Sequence, residues 1–440
     1  MSATVDSGNT GFMLISTALV MIMTPGLAFF YGGLVGRKSV VTIMMQSFVS
    51  LAVTTVVWFL YGYSLCFSEG AGSIFGNFKK ALFLNIDMDS LYTSSEMPEY
   101  VFLVYQMCFA VITPALITGA FTNRVRFAPY LIFLVLWLTC VYFPAVHSIW
   151  GGGFLQEWGV LDFAGGIVVH ATAGMAALAS VFYVGKRHVV DQPHSIPLIA
   201  IGTGLLWFGW YGFNAGSALT AGESAALAFV NTDIAASFAG VTWLIIAWIH
   251  TGKPTLVGLL TGMVAGLATI TPGAGYVDTW AAPIIGIVAG LLCYGAVTLK
   301  EKFGLDDALD VVGVHGVGGI FGVIMLGLFG RADLGGSDGL FFGGGEFFGK
   351  QVAAVVGFSL YAFVFTFVAL WLINFITPVK CTEKDEEDGV DTVMFGECAY
   401  NDACGEILPS KTCPEKCPEE KEMKPVKKGW FGKKKGEESV

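Results

Sequence analysis

Charge is what this chain has least of. Asp, Glu, Lys and Arg together make up 13% of its 440 residues, about half the roughly 25% of a soluble domain. Scarce charge beside 55% hydrophobic residues excludes a soluble globular protein. Apolar runs of transmembrane length recur over roughly the first 378 residues, as in a polytopic membrane protein. A basic leader before the first apolar run is also missing, and that run is too long for a signal-peptide core, so no cleavable signal is expected. The chain has no Walker motif, nucleophile elbow or zinc-protease motif, and it is not expected to be an enzyme or to hold a cofactor or metal. Its positive charge gathers only in the last 17 residues, with no recognition motif beside it, which argues against a nucleic-acid partner.

Glycine is abundant, at 57 of 440 residues, against a usual share of roughly 7%. At that density helix backbones can approach closely, the way helices associate in lipid. The expectation is therefore an all-α polytopic bundle, not a β-barrel. Nine cysteines form two sets. Cys66, Cys108, Cys140 and Cys293 lie in or beside apolar runs and read as small hydrophobes. Cys381, Cys398, Cys404, Cys413 and Cys417 lie in a polar tail and read as reduced thiols.

Eleven spans are expected, over residues 10–32, 40–66, 100–121, 127–145, 162–183, 196–215, 225–249, 255–271, 279–299, 309–329 and 347–377. Loops after the odd-numbered spans carry Arg37, Lys38, Arg124, Arg126, Lys186, Arg187, Lys253, Lys300 and Lys302; the opposite loops carry Lys79, Lys80, Arg331 and Lys350. Positive residues favour the inside, so the N-terminus is expected outside and the tail in the cytoplasm. The domains are then a transmembrane domain over 1–378 and a tail over 379–440, partly disordered because it has too few apolar residues for a core.

Two histidines sit in this apolar setting. Asp162-Phe-Ala-Gly-Gly-Ile-Val-Val-His170-Ala-Thr-Ala-Gly174 and Asp307-Ala-Leu-Asp-Val-Val-Gly-Val-His315-Gly-Val-Gly-Gly319 repeat the intervals from aspartate to histidine and from histidine to glycine. Spans one to five and six to ten would be two inverted repeats, with span eleven left at the periphery. Each histidine lies eight residues from its aspartate, about 12 Å along a helix, so the two enter from opposite faces and can meet near the midplane. Ionisable groups at that depth mark a functional site. Burial favours the neutral ring, with one donor and one acceptor, able to bond a small polar solute or relay a proton. Asp162 reads as a helix cap. Trp150, Phe109, Phe213 and Ser217 fall near the outer ends of spans four, three and six, where aromatics are commonly interface residues.

These motifs, with Pro25-Gly-Leu-Ala-Phe-Phe-Tyr-Gly-Gly33, Trp150-Gly-Gly-Gly153, Phe208-Gly-Trp-Tyr-Gly-Phe-Asn-Ala-Gly-Ser217 and Asp306-Asp-Ala-Leu-Asp, resemble the ammonium transporter (Amt/Mep/Rh) family, Amt branch, over nearly all of the membrane part. The resemblance implies eleven helices and a homotrimer in the cell membrane, with ammonium or ammonia as substrate and membrane lipid as surroundings. It implies that Trp150, Phe109 and Ser217 recruit ammonium, that Phe109 and Phe213 form a gate, that His170 and His315 line the pore and that Asp162 supports the site. Asp388-Gly-Val-Asp391 and Gly396-Glu-Cys-Ala-Tyr400 resemble the family's regulatory tail motifs, with Phe395 where histidine is common, and a cytosolic partner of the PII type is implied. Gly389 and Gly396 are expected in tight turns, where a Cβ would be costly if φ is positive. The alternatives are an ammonium sensor signalling through its tail and a passive gas channel of the Rh branch.

Overall fold

The computed structural model describes residues 4–68, 70, 72–92 and 95–400. Residues 1–399 form one compact unit. The expectations for Cys404, Cys413, Cys417 and the basic end lie outside the described residues. Eleven helices are long and apolar enough to cross a membrane: Ser7–Leu34, Val40–Phe67, Glu99–Ala120, Phe127–Trp158, Gly166–Val184, Ile196–Ala218, Glu223–Thr251, Leu256–Gly273, Ala281–Phe303, Val312–Phe329 and Gly345–Ile376. They are spans one to eleven below. The protein is an all-α polytopic membrane protein.

Span four runs well past the expected end at 145. Pro144 lacks the N–H that continues a helix, but it falls in the first turn of Phe143–Trp150, directly after a π-helical turn at Leu138–Tyr142. A widened turn absorbs the missing donor, so the helix continues to Trp150.

The two repeats pack on each other. Span one lies along span six and span five crosses span ten, while spans seven, eight and nine pack together. Span eleven leans against spans four, five and ten at the periphery. Glycines permit the closest approaches: a Cβ on Gly202 of span six would sit 2.2 Å from the Phe30 amide nitrogen of span one. The short strands Leu91–Tyr92 and Met97–Pro98 pair antiparallel in the connection between spans two and three.

The start of the tail is folded onto the bundle. Lys380 pairs with Val125, and Arg126 reaches Asp385 at 2.9 Å. Glu386 accepts from the amides of His188 and Val189 at 2.8 and 3.1 Å. Asp391 accepts from Val41 N at 2.9 Å and from Thr42 N and Thr42 Oγ1, both at 2.7 Å, so it caps span two from the tail. Phe395 packs edge-on against Phe127 with ring centroids 5.0 Å apart. The tail thus fastens the three loops after spans one, three and five. Cys398 is disulfide-bonded, unlike the reduced thiol expected from the sequence.

Gly389 has φ 101° and Gly396 φ 63°. A Cβ at Gly389 would meet Lys38 Cβ at 3.0 Å, whereas one at Gly396 meets nothing within 4 Å. Gly389→Ala is therefore predicted to loosen the tail more than Gly396→Ala. Asp391→Ala, which removes a cap worth about 0.5–2 kcal/mol, should do the same. Limited proteolysis at Lys380 and Lys384 checks this: cleavage should accelerate in Gly389→Ala and Asp391→Ala and less in Gly396→Ala, which carries the strain of positive φ without a clash.

Candidate functional site

The first turn of a helix leaves amide donors unpaired. Asp162 supplies their acceptors at the head of span five. Its Oδ1 accepts from Gly165 N and Gly166 N at 2.8 and 2.6 Å, and its Oδ2 from Ile167 N and Val168 N at 2.8 and 3.1 Å. Gly165, with φ 116°, turns the chain into the helix between them. Burial pushes the Asp162 carboxyl above its usual range, against the pull of those four donors. Asp307 does the same at the head of span ten, accepting from Val311 N and Val312 N at 3.1 and 2.8 Å.

Each aspartate holds a π-helical turn, Gly166–Ala171 in span five and Val312–Val317 in span ten, and each turn carries its histidine. The spans cross at glycine. A Cβ on Gly174, four residues after His170, would lie 2.1 Å from Gly316 Cα; one on Gly319, four residues after His315, would lie 2.7 Å from His170 Cβ. This proximity brings Nδ1 of His170 and Nδ1 of His315 to 3.2 Å, the rings nearly parallel at 17°. Two Nδ1 atoms in contact share one proton, so one ring donates and the other accepts. Among the described residues, Nε2 of His170 has no hydrogen-bond partner. Trp210 stacks on His170 at 5.5 Å and is fixed by its Nε1–H donating to Thr271 Oγ1 at 3.0 Å.

Three cavities are in line with this pair. On the face opposite the tail, an open cavity is lined by Phe109, Trp150, Asp162, Ser217, Gln106 and Tyr276, among others. A much narrower one lies between Phe213, His170, Trp210 and His315, with Phe30, Leu27 and Val264 in its apolar wall. A third opens from His315 past Phe30 and Val264 towards Arg187, Asp191 and Asp310 on the tail face. Phe109 and Phe213 separate the first from the second. Their rings stack at 4.2 Å and 28°, and each is only 1% exposed. Trp150 stands edge-on to Phe109 at 6.0 Å and donates its Nε1–H to the Asp162 carbonyl at 2.7 Å. Ser217 donates to Phe213 O at 2.8 Å, which leaves its lone pairs as acceptors.

A family model described as the Ammonium Transporter Family matches residues 11–400. This chain belongs to that family. It is 44% identical over 401 residues to the ammonium transporter of Bacillus subtilis, covering 90% of this chain and 99% of the relative. The crystal structure of Saccharomyces cerevisiae Mep2 superposes with a TM-score of 0.85 at 34% identity, over 92% of this chain and 94% of that one. A structure described as a sensor Amt protein superposes with a TM-score of 0.80 at 26% identity, over 88% and 98%. Ammonium transport is the function these likenesses support.

The seven residues singled out in the sequence occupy one column, from Trp150 through Phe109, Ser217 and Phe213 to His170 and His315, with Asp162 beside it. Asp162 borders the open cavity, but its carboxylate oxygens are turned to the backbone. Sequence reasoning missed Trp210 and Tyr105. Tyr105 anchors the span-six end of the column: its hydroxyl lies 3.0 and 2.9 Å from the carbonyls of Gly212 and Phe213 and 3.2 Å from Ser217 Oγ. A tryptophan inside an aromatic-rich run carries no signal that it faces a pore and not lipid.

Gly319→Ala is predicted to part the two spans at the histidines. Overpacking of this kind costs about 1–3 kcal/mol, so the variant should unfold at a lower temperature and lose transport while still folding. Calorimetry with a transport assay on the same preparation checks both.

Proposed function

We propose that this protein recruits ammonium at an outer site of Trp150, Phe109 and Ser217, removes its proton near the Phe109–Phe213 gate and conducts ammonia past His170 and His315. The observation that carries the reading is the alignment of an aromatic cavity, a stacked phenylalanine pair and a contacting histidine pair along one path. Trp150 and Phe109 offer ring faces to a cation, and Ser217 offers a hydroxyl oxygen to an ammonium N–H. Potassium cannot donate such a bond and cannot shed charge. Beyond the gate the wall is apolar, where a bare cation is heavily penalised. Ammonium therefore splits into ammonia and a proton; ammonia bonds in turn to the neutral rings, and the proton is relayed by the shared Nδ1 contact. Asp162 supports the site by holding the His170 turn.

In this reading the protein is a homotrimer in the cell membrane, its N-terminus outside and its tail cytoplasmic. The membrane domain spans 1–378; the segment 379–400 is regulatory and presents a surface to a cytosolic partner of the PII type. A sensor role is favoured by one observation, the likeness to the sensor Amt protein. Solid-supported membrane electrophysiology on proteoliposomes separates the two: a sustained ammonium-dependent current supports transport, and its absence supports the sensor.

His170→Ala should abolish that current in folded protein, because the chamber loses a polar group it cannot replace; ordinary currents would overturn the histidine role. Trp150→Leu should raise the half-saturating ammonium concentration by at most about thirtyfold, since a cation–π contact is worth ~0.5–2 kcal/mol. An unchanged value removes Trp150 from the recruitment site.

A further inference from the structure

Span eleven takes no part in the scheme above, yet one of its side chains reaches the recruitment site from behind. Gln351 lies in the second turn of Gly345–Ile376 and is fully buried, at 0% exposure. Its Oε1 accepts from Leu161 N at 2.9 Å, and its Nε2 donates to Leu161 O at 2.7 Å. One carboxamide thus pairs with both backbone groups of a single residue, as a neighbouring strand would. The pairing fixes which way the amide points, because the Leu161 N–H only donates and its carbonyl only accepts.

Residues 160–163 need such a partner. They run between Gly159, with φ 89°, and Gly165, with φ 116°, and form no regular element, so the strip cannot pair its own amides and carbonyls. Its contacts come from elsewhere: Val160 N donates to Leu155 O at 2.9 Å and Phe163 N to Pro272 O at 3.0 Å. Asp162 O accepts the Trp150 Nε1–H. The indole is therefore seated on the carbonyl of the residue next to the one Gln351 holds. Val160, Leu161, Asp162 and Phe163 all line the outer cavity, and Gln351 stands behind them, outside it.

We infer that Gln351 is a positioning residue for ammonium capture: it fixes the 160–163 strip, and the strip fixes the plane of the Trp150 ring. The helix that carries it is itself held. Span ten packs on the same turn through Gly327, whose added Cβ would lie 3.4 Å from Gln351 Cβ. Far from the strip, about 22 Å along span eleven at 1.5 Å per residue, Thr366 Oγ1 accepts from the Trp137 Nε1–H of span four at 3.1 Å. Methionine matches glutamine in length but can form neither bond to Leu161. Asparagine keeps the carboxamide but ends one methylene short.

The functional half of this inference rests on the recruitment role of Trp150; the contact itself does not. Solid-state NMR of the full-length native protein in lipid bilayers, with ¹⁵N-glutamine and ¹³C-carbonyl-leucine labels, should show a glutamine side-chain nitrogen hydrogen-bonded to a leucine carbonyl, a signal that vanishes in Gln351→Met. Its absence from the native protein overturns the clamp, and this arm needs no variant to fold. The Trp150 indole ¹⁵N signal, assigned by its loss in Trp150→Leu, should shift in Gln351→Met. It should stay in place in Thr366→Val, which breaks a side-chain bond elsewhere on the same helix. In proteoliposomes, Gln351→Met and Gln351→Asn should raise the half-saturating ammonium concentration roughly threefold or more, a loosened cation–π contact. The maximal current should be kept, because the gate and the histidines are untouched. Thr366→Val should lower the unfolding temperature and leave the half-saturating value alone. An unchanged value in the Gln351 variants, or an equal rise in Thr366→Val, overturns the positioning role. A silent Trp150→Leu beside a shifted indole signal would instead overturn the recruitment reading and uphold the clamp.

Discussion

The arrangement depends on how closely two helices can cross. Spans five and ten meet at Gly174, Gly316 and Gly319, where an added methyl would lie 2.1 Å from the facing backbone at Gly174, 2.7 Å from Ala171 N and His170 Cβ at Gly319, and 3.3 Å from Gly174 Cα at Gly316. Only at that separation do two imidazoles, each at the same place in its own repeat, come within 3.2 Å. Any larger residue at the crossing pushes the helices apart, and the pair with them. In lipid no hydrophobic gain drives helices together, so this crossing is stabilised by packing and by hydrogen bonds that have no water to compete with. The glycine content and the histidine pair are thus one feature. The first lets the backbones touch, and the second is what the touching brings together.

Buried charge is handled by one device used repeatedly. Asp162 and Asp307 cap the spans that carry the histidines, and Asp391 caps span two from the tail. Arg124 is the mirror image: its guanidinium donates to the carbonyls of Ala120 and Gly185, at the ends of spans three and five. It also stands 3.6 Å from Asp306. Burial pulls the Arg124 guanidinium down to about 10, which leaves it charged at neutral pH. Anions sit at helix N-termini and cations at C-termini, where the partial charges of the helix ends offset part of the loss of water. The turns that carry the histidines and the anchoring of the tail use the same chemistry.

The tail is continuous with the cavity below His315 through this scheme. Glu386 binds the amides of His188 and Val189, and the neighbouring Arg187 grips Asp306 through Nε and Nη2. Asp306 precedes Asp307, the cap of the His315 turn. Arg187 itself lines the cavity below His315. A chain of ion pairs and amide contacts therefore runs from the first tail helix, Glu383–Asp388, to the head of span ten within one chain.

Much of this was written in the sequence. Hydropathy set the number of spans, because a buried helix in lipid must be apolar along its whole length. The repeated intervals from Asp162 to His170 and from Asp307 to His315 gave away two copies of one device, since the position of a cap relative to a side chain on the next turns is fixed by helix geometry. Local spacing could not say that the helices meet through Gly174 and Gly316, that both histidine turns are π-helical, or that Trp210 faces the chamber while Phe208 is exposed at 56%. Nor could it foresee that Asp391 would cap a helix 349 residues away. Those are contacts between segments far apart in the chain, and only the tertiary structure, which decides which face of each helix meets which neighbour, could settle them.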